Sequence, residues 1–242
     1  MIDLHKGDCL EVMDKLIAEG VKVDTIITDP PYGTTACKWD SIIPFDEMWL
    51  RLNKLIKPNG AIVLFGSEPF SSALRMSNIR NYKYDWVWKK HHTNQLNSKR
   101  QPLRENECVS IFYKKQCLYN PQFSKGEPYE VDRKNYKGSE TLGKQRDHKT
   151  INDGFRHPKS IIEFKEKMKH HPTQKPVELM EYLIKTYTNE GETVLDFTMG
   201  SGTTGVACKN LNRNFIGIEL DETYFNIAEE RIEKHTTQQR LF

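Results

Sequence analysis

An acid, two prolines and an aromatic ring stand together at Asp29-Pro30-Pro31-Tyr32, directly after the β-branched run Val23-Asp24-Thr25-Ile26-Ile27-Thr28. The run predicts a strand, and the prolines end it. Neither has an amide hydrogen and both hold φ near about −65°, so the chain must leave the sheet in a stiff extended turn. Strand ends of this kind carry the sites of open α/β sheets. The turn presents a carboxylate (Asp29), a carbonyl that no ladder uses (Pro30) and a flat ring (Tyr32) as one rigid unit. Such a unit can accept two hydrogens from one ligand group and stack on a planar one. Taken alone it reads better as an ordinary strand exit with a satisfied Asp and a core Tyr, and a second stretch far along the chain shifts that balance.

In the second stretch Thr193-Val194-Leu195-Asp196-Phe197 reads as a strand, Thr198-Met199-Gly200-Ser201-Gly202 as a glycine turn, and Thr203-Thr204-Gly205-Val206-Ala207 as the start of a helix. Gly200 and Gly202 let backbone approach a ligand closely, and the amides of a new helix favour a carboxylate or phosphate. About twelve residues further on, Asn214-Phe215-Ile216-Gly217-Ile218-Glu219 is a strand ending in an acid, as an adenosine-ribose site in a βαβ unit requires. Gly-x-x-x-x-Gly-Lys-Ser/Thr is absent, which argues against a nucleoside triphosphate of the P-loop type.

Together these motifs resemble the DNA amino-methyltransferases, which move a methyl group from S-adenosylmethionine to an exocyclic base nitrogen. The resemblance covers most of the chain. It implies that Asp29, Pro30, Pro31 and Tyr32 form the catalytic turn. It also implies that Phe197 to Gly202 is the family's Phe-x-Gly-x-Gly cofactor loop with one extra residue, flanked by Asp196, Thr203, Thr204 and Glu219. Asp8, with Cys9 beside it, falls where the family holds the cofactor's adenine, although Asp8 serves equally as a plain helix N-cap. Lys175 is implied to reach the methionine carboxylate, against the competing view of an exposed lysine. The catalytic turn precedes the cofactor loop, and His171-Pro172-Thr173-Gln174-Lys175-Pro176 introduces the helix before the cofactor strand. That order resembles the β group of these enzymes and is the reverse of glutamine and ribosomal-RNA methylases with a similar Pro-Pro-Tyr turn. Members acting on cytosine commonly look like Ser-Pro-Pro-Tyr, so Asp29 implies adenine N6 as the target, with the base flipped out of the duplex. Cytosine N4 methylation and a non-catalytic nucleic-acid binder of the same fold are the alternatives. Members of the family often dimerise and can accompany a cognate restriction nuclease; no feature of this sequence decides either.

The implied fold is α/β, a Rossmann-like and mostly parallel sheet with an antiparallel edge hairpin and a small basic insert. Residues 1–113 would be the catalytic half, 114–170 the target-recognition insert and 171–242 the cofactor half. Strands are expected at Ile2-Asp3-Leu4, Ala61 to Phe65, Tyr84 to Trp88 and Glu107 to Tyr113, the last two forming the hairpin. Helices are expected over Leu10 to Glu19, Phe45 to Lys57, Glu68 to Asn78, Pro176 to Tyr187 and Asp221 to His235, with Pro58-Asn59-Gly60 as a helix stop. Gly33 to Pro44 reads as a polar loop over the site. The stretch from Lys114 to Lys169, poor in aliphatic residues before Ile161-Ile162, reads as partly ordered only on DNA.

Charge is segregated. Residues 83–169 hold 20 Lys and Arg against 11 Asp and Glu, and the remainder holds 16 against 22, so a basic segment on an otherwise acidic chain faces a polyanion. Lys89, Lys90, Asn94, Lys99, Arg100 and Arg104 suit phosphate and base-edge contacts on DNA. The five cysteines include no Cys-x-x-Cys pair, and the two His-His pairs lack acidic or cysteine partners at ligand spacing, so neither disulfides nor a metal are expected. No apolar run nears the roughly 20 residues that span a bilayer, and the N-terminus shows no signal peptide; both readings place the chain in the cytoplasm.

Overall fold

The structure is a computed structural model that describes residues 1–34, 40–91, 98–133, 147–165 and 174–234. Its first half runs β1 (Ile2–Lys6), α1 (Cys9–Ala18), β2 (Val23–Thr28), α2 (Phe45–Leu55), β3 (Ile56–Gly66), α3 (Phe70–Ser77), β4 (Tyr82–Lys89) and β5 (Asn106–Phe112). Four short strands follow, β6 (Ser124–Lys125), β7 (Tyr129–Arg133), β8 (His148–Asn152) and β9 (Phe155–Arg156), then β10 (Ile161–Glu163). The last part is α4 (Val177–Tyr187), β11 (Thr193–Asp196), α5 (Thr203–Asn210), β12 (Asn214–Glu219) and α6 (Glu222–Lys234).

The main unit comprises residues 1–120 and 160–234 of those described. Its sheet has the order β1-β12-β11-β2-β3-β5-β4-β10, and every neighbouring pair is parallel except those made by β5. Period-2 alternation sends one side chain of each central strand to either face. Ile27, Val63 and Val194 join the core beneath α4, whereas Ile26, Leu64 and Leu195 join the core that takes Val12, Leu16, Trp49, Leu52 and Leu74 from α1, α2 and α3. Because both faces are covered, the strands read as nearly unbroken apolar runs.

Two expectations are corrected. Pro58-Asn59-Gly60 do not stop a helix: β3 already begins at Ile56. Lys57 to Gly60 stand opposite the single residue Asp24 in a bulge, where a proline needs no ladder donor. Gly60 fits there because a Cβ would lie 2.5 Å from the Asp24 carbonyl oxygen. The β4–β5 hairpin, in turn, is not the sheet's edge. β10 pairs parallel to β4, and three residues with only Ile162 facing inward are too few to show a period in sequence.

Residues 121–159 form a second unit of two small antiparallel sheets, β6 with β9 and β7 with β8. Order here does not come from an aliphatic core. The Asn152 side chain ties the Gly154 amide and the Phe155 carbonyl at 2.9 and 2.8 Å, the Arg156 guanidinium stacks over Tyr129, and Phe123 packs on Phe155 and His157. A reading weighted by aliphatic content therefore understates it. Lys114 to Asn120 belong to the main unit instead, anchored by buried Cys117 and by the Asn120 amide on the Thr186 carbonyl.

Candidate active site

Four parallel strands, β1, β12, β11 and β2, end at one edge of the sheet. Asp8, Glu219, Asp196 and Asp29 stand at or just past those ends. From the boundary between β11 and β2 the chain adds strands outward in opposite directions, β12 on one side and β3 on the other, and such a boundary is the crevice where open α/β sheets bind ligands. Since β5 runs antiparallel, its first residues rather than its last reach the same edge, which brings Glu107 there. A cavity of about 460 Å³ opens along this edge, with Asp8, Cys9, Phe197, Gly200, Thr203 and Glu219 towards one end and Asp29, Pro30, Tyr32, Glu107 and Lys175 towards the other.

The Asp29 carboxylate is held at both oxygens. Tyr32 Oη donates to Oδ1 and the Lys175 ammonium to Oδ2. Lys175 is 7% exposed, which removes the exposed-lysine reading, and it lies between two acids: its Nζ is 3.1 Å from Glu107 Oε2. Glu107 Oε2 is buried with the ammonium beside it, while Oε1 accepts from Lys90 Nζ at 2.6 Å. Burial raises the Asp29 pKa, Lys175 opposes that rise and Glu107 adds to it. Burial alone would also raise Glu107, yet Lys175 and Lys90 together hold it below the usual carboxylate range. Burial works against the charge on Lys175, but Asp29 and Glu107 outweigh it and keep the ammonium ionised. Burial and then Asp29 push the Tyr32 hydroxyl up, so it stays a donor.

The backbone of the turn is clamped by Asp40, whose carboxylate accepts from the amides of Tyr32, Gly33 and Thr34 at 2.8, 2.8 and 2.9 Å. Phe70 stacks behind Tyr32 at 5.0 Å. Threonines sew the turn to the glycine loop: Thr198 Oγ1 donates to the Asp29 carbonyl at 3.1 Å, and Thr28 Oγ1 donates to Asp196 Oδ1 at 3.0 Å while accepting from the Phe197 amide. Asp196 also accepts from Thr204 Oγ1 and the Thr198 amide, and burial pushes its pKa up to about 7.

On the other side of the cavity, Asp8 caps α1, accepting from the Leu10 amide at 2.8 Å and the Glu11 amide at 3.3 Å, and lines the cavity as well. Beside it, burial pushes the Cys9 thiol up to about 12, so it is not a thiolate. Glu219 accepts from the Gly200 and Asp221 amides, both at 2.8 Å, and burial raises its pKa. Gly200 has φ +53 and a Cβ there would meet nothing within 4 Å, so this backbone faces open space. Gly202 differs: with φ +77, its Cβ would fall 2.9 Å from that of Ala228 on α6.

Asp40, Glu107, Thr28 and Thr198 were not singled out from sequence. Asp40 is the one acid between Tyr32 and Pro44, and Glu107 an acid inside an apolar strand; both signals gain meaning only once the turn and strand direction are known. Among the basic residues, Lys89 pairs with Glu163 at 3.1 Å, Lys90 with Glu107, and Arg104 donates to Ser67 Oγ at 2.6 Å and the Glu68 carbonyl at 2.8 Å. Lys99 and Arg100 are exposed. Asn94, Cys37 and His171 to Thr173 lie outside the described residues. Among the described residues no cluster of His, Cys, Asp or Glu could hold a metal, and no helix is long and apolar enough to cross a membrane.

A family model described as DNA methylase matches residues 23–230, from the first residue of β2 into α6. The Type II methyltransferase M.HpaI of Haemophilus parainfluenzae is 29% identical over 231 residues, covering 87% of this chain and 68% of that protein. The crystal structure of an M1.HpyAVI-SAM complex superposes with a TM-score of 0.66 at 31% identity, covering 96% of this chain and 100% of the other. The PvuII DNA methyltransferase (cytosine-N4-specific), at 16% identity and a TM-score of 0.64 over 98% of this chain and 88% of that one, shares the fold.

Proposed function

The chain belongs to the DNA methylase family of the N6/N4 type, the β-group DNA amino-methyltransferases, and from that premise we propose that it methylates adenine N6 of a flipped-out DNA base. S-adenosylmethionine is the cofactor, and what it supplies when bound is an electrophilic methyl group. The cavity suits it in chemistry. Asp8 and Glu219 offer acceptors to the adenosine, the open side of Gly200 admits close approach, and Lys175 has a third hydrogen, beyond those facing Asp29 and Glu107, for the carboxylate.

An adenine amino group is a poor nucleophile because its lone pair is delocalised into the ring. Asp29 and the Pro30 carbonyl each accept one amino hydrogen, hold the nitrogen out of planarity and aim its lone pair. Asp29 opposes the positive charge that grows on that nitrogen and then takes a proton from it, a role suited to a carboxylate whose basicity burial has raised. One face of Tyr32 is backed by Phe70, and the other stacks on the base, offsetting part of the few kcal/mol spent in unstacking it.

The observation that carries this reading is the carboxylate of Asp29, fixed at the cavity by two donors where cytosine-directed relatives commonly look like Ser-Pro-Pro-Tyr. The protein then acts in the cytoplasm, with Lys99 and Arg100 among its phosphate contacts and a cognate nuclease or a second copy as further partners. Digesting methylated DNA to nucleosides and separating them by mass tests it. N6-methyl-2′-deoxyadenosine is expected, and N4-methyl-2′-deoxycytidine as the dominant product overturns the adenine assignment.

A further inference from the structure

A catalytic carboxylate that must oppose a growing positive charge meets a conflict when it is buried beside a lysine. Lys175 lies directly against Asp29, and an isolated pair of opposite charges is neutral, with only a weak field left at the substrate nitrogen. The structure contains a third charge. Glu107 approaches Lys175 from β5, its side chain only 11% exposed, with Oε2 3.1 Å from Nζ. A buried carboxylate needs a compensating charge, and here the Lys175 ammonium supplies it.

We propose that Glu107 is a positioning residue for methyl transfer: it holds and neutralises Lys175, so that Lys175 anchors Asp29 without cancelling its negative charge towards the substrate amino group. The proposal rests on the methyl-transfer reading above. Asp29, Lys175 and Glu107 together carry one net negative charge. Lys90 binds the far oxygen of Glu107 with its side chain 25% exposed, so solvent screens its effect at Asp29. The rings of Phe65 and Tyr32 lie 5.2 and 6.0 Å from Nζ. The other ionisable groups facing Asp29 are the Tyr32 hydroxyl from its own turn and Asp196 from β11.

Charge removal gives the test. Glu107 disfavours ionisation of Asp29 and Lys175 favours it, so E107Q should move the acid limb of the kcat–pH profile to lower pH and K175M should move it to higher pH. The double variant K175M/E107Q should lie between the two, and K175R should keep the native limb. In E107Q kcat at the plateau falls, by up to about a hundredfold for misplaced reacting groups, and by more than the cofactor affinity read by calorimetry. The Asp29 carboxyl signal, titrated by NMR in labelled, uncomplexed protein, should shift in the same opposite directions without any need for catalysis. Acid limbs and NMR titrations that stay put in both single variants, or move the same way, overturn the proposal, as does native kcat in E107Q. If E107Q fails to fold, the double variant K175M/E107Q set against K175M decides: removal of Glu107 there should move the acid limb to lower pH, and an unmoved limb overturns the proposal. A wild-type protein that methylates no DNA sinks the functional reading, and the NMR arm still decides whether Glu107 and Lys175 act on Asp29 as described.

Discussion

Asp29 is anchored by side chains from its own turn and from the residue two before α4, so its geometry is set before a ligand arrives. Asp29→Ala removes both the amino-hydrogen acceptor and the counter-charge. The expected loss in kcat is on the order of 10²–10³-fold or more, with cofactor affinity spared, since the proposed function puts Asp29 against the base and the glycine loop against the cofactor. Calorimetry beside a methyl-transfer assay checks this, and equal loss of both would make Asp29 structural. Asp196 supports a prediction of a different kind. Burial pushes its pKa up to about 7 from an ordinary 3.8, against three hydrogen-bond donors that favour the charged form. A carboxyl raised on folding contributes stability that is full below its unfolded pKa and is lost as pH rises through the folded value. Stability of the native protein should therefore fall between pH about 4 and about 7 more steeply than that of Asp196→Asn, which cannot ionise. Thermal denaturation of both proteins across that window measures the difference, and parallel curves would mean that Asp196 titrates normally.

At the scale of elements, the glycine loop has two glycines with separate duties. Gly202 starts α5 in the left-handed region and abuts α6, where a Cβ would press on Ala228 and Ile232. Gly202→Val should cost about 2–5 kcal/mol from backbone strain and overpacking, and lower Tm accordingly. Gly200→Ala meets only the left-handed strain of about 1–2 kcal/mol, because its Cβ would point into open space, so its melting temperature should stay closer to native while cofactor affinity drops. Melting curves and calorimetry on the pair separate the duties; equal destabilisation would contradict the division. The Thr28–Asp196–Thr198 hydrogen bonds explain why the loop and the catalytic turn keep one geometry although 169 positions separate Thr198 from Asp29.

For the whole molecule, the proposed DNA contacts differ in the partners that their side chains already have. Lys89 and Lys90 are already paired with Glu163 and Glu107, and Arg104 is tied to Ser67 and Glu68, whereas Lys99 and Arg100 stand exposed at the same end of the β4–β5 hairpin. Replacing Lys99 and Arg100 with Gln should weaken DNA binding and flatten the dependence of log K on log salt by about 0.9 for each phosphate left without its cation. Titrations at several salt concentrations measure that slope, and an unchanged slope would place the DNA elsewhere. Lys90 is a poor probe for this purpose, because its removal would also disturb Glu107.

What the sequence determined by itself was everything encoded within a few neighbouring residues. The strand cut off by Pro30 and Pro31, the glycine turn after Asp196, the acid closing β12 and the helices α1, α4 and α6 all announce themselves through local sterics and periodicity, to within a residue or two. The ends of α2 and β3 were not legible, since Pro58-Asn59-Gly60 suit a helix stop and a bulge equally, and only Asp24 on the neighbouring strand selects the bulge. Lys175 shows the same limit at the site. Its position beside Pro176 was visible, but its partners were not, because Asp29 lies 146 positions away and Glu107 comes near only through the reversed direction of β5. Asp40 likewise became a clamp only through its contacts with the Tyr32, Gly33 and Thr34 amides. Hydrogen bonds and ion pairs between distant segments depend on strand order and direction, and those are fixed by how the two apolar faces of the sheet are buried, not by any single stretch of the chain.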